Sequence, residues 1–197
     1  MSRINPSNAW PRWMLVVLLL VVFPAGCAPV NTRSPVSAGL PVGQFAPPVR
    51  AHKWIRGESQ DGLELKGEVT VLIAWAYWCQ PCRREATHLV AFHKQFKERG
   101  VRFIGLTTEG VDAEDRSEAF LADAGIEWPN GLGAIETLSE LQAESIPSVW
   151  LVGRDGRIVW NMASETSLES AIEAALQAAP PAADAPADNA AGTPANG

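Results

Sequence analysis

The chain carries 197 residues, 47% of them apolar, with 22 acidic against 16 basic side chains and a formal net charge of −6 at pH 7. With its atypical ends set aside, about 140 residues remain, enough for one domain with a single hydrophobic core. Nothing in this acidic balance suggests nucleic acid as a partner. The basic residues Arg83, Arg84, Lys94, Lys97, Arg99 and Arg102 are interrupted by Glu85 and Glu98, the pattern of a solvated helix face rather than a phosphate-binding stripe.

In chain order, the N-terminus reads as an export signal. Arg3 and Arg12 precede the unbroken apolar run Trp13 to Phe23, followed by Pro24-Ala25-Gly26-Cys27. That run falls short of the ~20 apolar residues that cross a bilayer, so a cleaved leader is expected rather than a permanent span. It resembles a bacterial lipoprotein signal, with Ala25 and Gly26 matching the small residues before a lipidated cysteine and Pro24 departing from the usual aliphatic residue. The resemblance implies a leader over residues 1–27 with lipidation at Cys27; ordinary cleavage near Ala28 is the alternative. Residues 28–41, rich in Pro, Ser and small side chains, read as a tether. Residues 42–178 form the expected domain. The stretch 179–197, almost only Ala, Pro, Asp, Asn and Gly, buries too little apolar surface to offset its ordering entropy and reads as a disordered tail.

Within the domain, Val49 to Ile55 and Leu63 to Leu65 flank a turn-forming segment and are predicted to pair as a short β-hairpin. Val69 to Trp75 has the β-branched and aromatic content of a buried strand, and a helix is predicted from Pro81 to Arg99, with Gly100 ending it. Val101 to Thr107 returns as a strand, completing a βαβ unit with parallel strands. Helices follow at 113–124 and 135–143. A hairpin is predicted from Val149-Trp150-Leu151-Val152 and Arg157-Ile158-Val159-Trp160 around the Asp155-Gly156 turn, then a last helix over 167–178.

Cys79 and Cys82 sit where the central strand hands over to its helix. The first N–H groups of a helix lack partners and its macrodipole is positive there, so a thiolate is favoured. Cys79 is therefore the expected nucleophile, and Cys82, on the same helical face, is placed to attack a mixed disulfide on Cys79. Pro81 suits the first turn, which does not need its N–H. Structural zinc would need two further ligands, and only Cys27, His52, His88 and His93 remain, none in a pairing motif. No metal and no cofactor are expected. His88 and His93 read as surface or half-buried helix residues, and Trp75, Trp150 and Trp160 as core or site-rim residues.

The order β, α with CxxC at its start, β, α, Ile-Pro, β-hairpin, α is similar to the thioredoxin fold: a central mixed β-sheet flanked by helices. The motifs Val42-Gly43-Gln44-Phe45-Ala46-Pro47, Trp75 to Glu85, and Ile146-Pro147-Ser148 ahead of Leu151 to Gly156 resemble the TlpA/ResA-like branch of extracytoplasmic thiol-disulfide oxidoreductases. The resemblance implies a cis Ile146-Pro147 bond against the disulfide, and Trp78, Ile146 and Pro147 as the substrate-docking surface. Two positions depart from the pattern: Ile73 stands where a buried acid or amide is common, and Thr87 where a helix-kinking Pro is common. Cys82 must still lose a proton before it resolves the mixed disulfide. Glu85, on its helical face and matching a ResA-like glutamate, is the candidate acceptor.

The resemblance implies a monomer on the periplasmic side that reduces disulfides of specific proteins, with cytochrome c maturation as one setting and a membrane thiol reductase as electron donor. A competing class is a metal carrier holding Cu(I) between Cys79 and Cys82, although copper-handling relatives of this fold usually space their cysteines more widely and add a distal His. A peroxidase of the peroxiredoxin type would want Thr or Ser at the position of Ala76.

Overall fold

Val69–Ala74 forms β2, and all six of its residues are buried, as a strand must be when helices cover both faces of its sheet. The computed structural model describes residues 39–179. The leader, Cys27, most of the 28–41 segment and residues 180–197 lie outside the described residues. After β2 come α1 (Gln80–Phe96), a 3-10 turn at Lys97–Arg99, β3 (Val101–Leu106) and α2 (Glu114–Ala124). Then follow β4 (Asn130–Leu132), α3 (Ile135–Glu140), β5 (Ser148–Val152), β6 (Ile158–Asn161) and α4 (Leu168–Gln177), while β1 (Lys53–Ile55) precedes β2. Gly100 ends the 3-10 turn at φ 82°, the left-handed conformation in which a Cβ would be strained.

The strands make one mixed sheet in the order β1-β4-β3-β2-β5-β6. β2 pairs parallel with β3 and antiparallel with β5, so it has a strand on each side as well as a layer on each face. Successive side chains of β2 point to opposite faces. Val69, Val71 and Ile73 join a cluster with Leu89, Phe96, Phe120 and Ile172 from α1, α2 and α4. Leu72 and Ala74 join Leu138, Leu141, Trp150 and Ile158 on the other face. Each large side chain buried in this way contributes about 1.5–3 kcal/mol.

One predicted pairing differs. Val49 and Leu63 meet in an isolated antiparallel bridge, but Lys53–Ile55 pairs antiparallel with β4 rather than with residues 63–65. β4 leaves one side open, and β1 fills it. The second hairpin forms around Asp155-Gly156 as expected, with an irregularity between Leu151 and Val152. The outer side of β6 is also occupied. Gly43 N–H donates to Ile158 O (2.8 Å), Ile158 N–H donates to Gln44 O (2.8 Å), and Arg157 Nη1 donates to Gly43 O (2.8 Å). Leu40, near the end of the 28–41 segment, donates its N–H to Leu141 O (2.7 Å). No helix among the described residues is long and apolar enough to cross a membrane.

α1 runs without a break past Thr87. On its inner side His93 sets its ring edge-on against Phe103 and Trp128, with centroids 5.2 and 5.1 Å away. Burial lowers the pKa of His93 below the ordinary 6.5; Lys97 pushes the same way and Glu127 opposes. A histidine harder to protonate when folded leaves the unfolded chain to bind the proton first as pH falls. Its contribution to stability is therefore complete above about pH 6.5 and is lost as pH drops toward the folded pKa. His93→Phe is expected to flatten the fall in unfolding free energy over that window, measured by urea denaturation at a series of pH values; parallel profiles for the two proteins would count against His93 as the cause.

Candidate active site

The end of β2 delivers the chain through Trp75-Ala76-Tyr77-Trp78 to Cys79, the N-cap of α1. Cys79 has extended backbone angles (φ −79°, ψ 103°), and its Sγ accepts the backbone N–H of Cys82 at 3.1 Å. That hydrogen bond satisfies one of the orphan donors of the first turn, and Pro81, lacking an N–H, removes another. Cys79 and Cys82 form a disulfide with S–S 2.04 Å, both residues being 4% exposed. Trp78 beside them is 60% exposed, and its Nε1–H donates to Glu109 Oε1 at 2.9 Å. Arg116 Nη1 donates to Tyr77 Oη at 2.7 Å, with the guanidinium 4.7 Å above the same ring, so the loop before Cys79 is pinned to α2.

The Ile146-Pro147 peptide bond is cis. Pro147 lies at the start of β5, next to β2, and it lines a small cavity together with Cys82 and Glu85. The side chains that the sequence pattern ties to the chemistry, Cys82, Glu85 and Pro147, therefore share one space behind the disulfide. Ile73 is buried and also lines that space, so no carboxylate projects from β2. Glu85 is partly exposed, and His88 Nδ1 lies 3.8 Å from its Oε2. The three-residue spacing along the helix brings His88, a surface residue, beside the carboxylate. Among the described residues no group of three or more His, Cys, Asp or Glu side chains is arranged to hold a metal ion.

Asn130 escapes a reading of the sequence, which places Trp75 only in the core or at the rim of the site. Asn130 in β4 is fully buried; its Nδ2 donates to Trp128 O at 2.7 Å, while its Oδ1 finds no partner among the described residues. Trp75 Nε1 is likewise buried without a partner. Both side chains line the cavity behind Cys82. The segment Trp128-Pro129-Asn130-Gly131 has the composition of a turn, and nothing in its pattern marks a three-residue strand carrying an inward amide.

A mixed sheet flanked by helices, with a CxxC pair at the start of the first main helix and a cis-proline loop beside it, is the thioredoxin fold. The chain belongs to the AhpC/TSA family, whose model matches residues 42–161. It is similar to the thiol-disulfide oxidoreductase ResA of Bacillus thuringiensis (strain Al Hakam), 24% identical over 116 residues that cover 58% of this chain and 66% of that protein. It is also similar to the protein FixW of Rhizobium leguminosarum, 28% identical over 137 residues, covering 64% of this chain and 62% of FixW. The chain thus spans just under two-thirds of the length of these relatives. A solved thioredoxin-like superfamily protein superposes with a TM-score of 0.58 at 25% identity, covering 70% of this chain and 99% of that one.

Gly105 of β3 lies directly under the two unpaired polar atoms. A Cβ there would overlap Asn130 Oδ1 and come within 2.9 Å of Trp75 Nε1. Gly105→Ala must push both side chains aside and is expected to cost about 1–3 kcal/mol, read from urea unfolding; a variant as stable as its parent would mean that these groups yield freely.

Proposed function

We propose that the protein is an extracytoplasmic thiol-disulfide oxidoreductase that reduces disulfides of specific proteins. The observation that carries this reading is the placement of Cys79 as the N-cap of α1, its sulfur accepting the Cys82 N–H, with Pro147 and Cys82 sharing one cavity. The names of the ResA relatives support the reaction class. In the reduced protein, the Cys79 thiolate attacks one sulfur of a substrate disulfide. The bond to the other substrate sulfur breaks, and that sulfur leaves as a thiolate and takes a proton. Cys82 gives up its proton, attacks Cys79 Sγ and closes the Cys79–Cys82 disulfide; the second substrate sulfur leaves and is protonated in turn. Two electrons pass from the protein to the substrate, and an upstream thiol donor restores the dithiol.

The helix terminus favours the attacking thiolate. A charge at that position gains about 0.3–1 kcal/mol from the dipole, and up to ~2 kcal/mol when partly buried. A hydrogen bond to a charged group adds about 1.5–3 kcal/mol. Both effects act in favour of Cys79 as the attacking sulfur. Exposed Trp78 and the backbone at Ile146 and Pro147 form the surface on which a substrate strand rests. Glu85 accepts the Cys82 proton. The domain works as a monomer on the periplasmic side, exported by its leader and tethered through a lipid on Cys27, and cytochrome c maturation is the setting most similar to that of ResA-like proteins. The membrane thiol reductase donor belongs to the same proposal.

Cys79→Ser is expected to abolish reduction of a disulfide substrate, and Cys82→Ser to stall with substrate covalently held on Cys79, both visible by non-reducing electrophoresis. The direction of electron flow is read by equilibrating the Cys79–Cys82 couple against glutathione: a reductant should lie toward the thioredoxin end, near about −270 mV, whereas a value near about −120 mV would make the protein an oxidant. Glu85→Gln should slow turnover about 100-fold or more and shift its pH dependence, and an unchanged pH-rate profile would remove Glu85 from the mechanism.

A further inference from the structure

The cavity behind Cys82 has about 10 Å³ of space, enough for one water. Its lining is largely apolar, and the few polar groups in it are specific. Trp75 Nε1 is a hydrogen-bond donor and Asn130 Oδ1 an acceptor; both are buried and unpaired, and both meet at Gly105. Cys82 and Glu85 line the same space. A single water held there takes the indole N–H as its donor and the amide oxygen as its acceptor, with Cys82 and Glu85 in the wall of the same space. Leaving the indole N–H and the amide oxygen bare would cost stability, and a water-sized space beside two such groups is the kind of site that holds structural water.

Resting on the redox reading above, we infer that Asn130 and Trp75 are positioning residues that hold a water between Cys82 and Glu85, and that this water carries the Cys82 proton to the Glu85 carboxylate. Ile73 makes the device necessary, because β2 offers no acid beneath the disulfide. In the step, Cys82 S–H breaks as its proton passes to the water and another proton of that water passes to Glu85. The Cys82 thiolate then attacks Cys79 Sγ, and the departing substrate thiolate takes a proton from protonated Glu85 or from bulk water. No electrons move in the relay itself. Asn130 suits the task because its Nδ2 is committed to Trp128 O at 2.7 Å, which fixes the amide with its oxygen toward the cavity. Other ionisable groups lie outside this space: His88 beside Glu85, Arg83 over Phe120 and 3.7 Å from Asp123 of α2, and His93 against Trp128. From the β5 side the cavity is closed by Pro147, which has nothing to titrate.

The test follows reduced full-length protein reacting with dithiobis-nitrobenzoate, where the first nitrothiobenzoate released reports attack by Cys79 and the second reports resolution by Cys82. Asn130→Leu keeps the shape without the amide, and Trp75→Phe keeps an aromatic ring without the N–H. Each is expected to slow the second release about tenfold at neutral pH, with the deficit closing at high pH where bulk base takes the proton. The first release should be unchanged, which also shows that α1 and Cys79 are intact. In a Glu85→Gln background neither substitution should slow the second release further, since groups of one relay do not add. A second phase at the wild-type rate in both variants, or a deficit equal at every pH, overturns the inference. A wild-type protein that releases no second equivalent at all overturns the redox reading itself, and so the two failures are distinguishable.

Discussion

Burial of β2 on both faces and both sides is the constraint on which the other elements depend. Its odd residues pack under α1 and α4, and Leu72 and Ala74 pack against α3 alongside Trp150 of β5 and Ile158 of β6, while β3 and β5 bond to its two edges. A strand held in this way cannot slip by one residue without exchanging its two apolar faces and moving its pairing to both neighbours. The position of Cys79, a few residues past its end, is therefore set by the core and not by the loop that carries it. The same register brings Pro147, at the head of β5, to the height of the disulfide, because Ala74 and Ser148 are opposed in the ladder.

Much of this architecture is legible because it is written in local chemistry. The apolar run that becomes β2, the Cys-x-x-Cys at its exit, Gly100 in the left-handed region and the Asp155-Gly156 turn each need one conformation, and each adopts it. What escaped depends on distant partners. β1 and β4 are three residues each; Asn130-Gly131-Leu132 has neither alternation nor β-branched residues, and only the space left beside β3 makes it a strand. The expected pairing of residues 49–55 with 63–65 fails for the same reason: beyond the Val49–Leu63 bridge, the open side of β4 competes better for Lys53–Ile55 than the local turn does.

The site divides along a similar line. Cys82 and Glu85 are neighbours on one helix, so their meeting follows from spacing. Asn130 reaches the same cavity from the far end of the βαβ unit, through a non-local strand, and no residue pattern near Cys82 points to it. A site assembled from both kinds of contact shows its helix residues in the sequence and conceals those that a distant strand brings in.

The edges of the sheet bear on how a partner chain can approach. One edge ends in β1, only three residues long, and the other is covered by residues 43–45, which take up the outward N–H and C=O of Ile158. Arg157 adds its own hydrogen bond to Gly43 O and lays its guanidinium over Phe45, 3.8 Å from the ring centroid, so that this cover is fastened by a side chain as well. A long exposed edge invites strand addition and uncontrolled association. Here an extended polypeptide finds little bare ladder at the rims, which blunts self-association through the sheet and leaves the loops around the disulfide as the place where foreign backbone can be engaged.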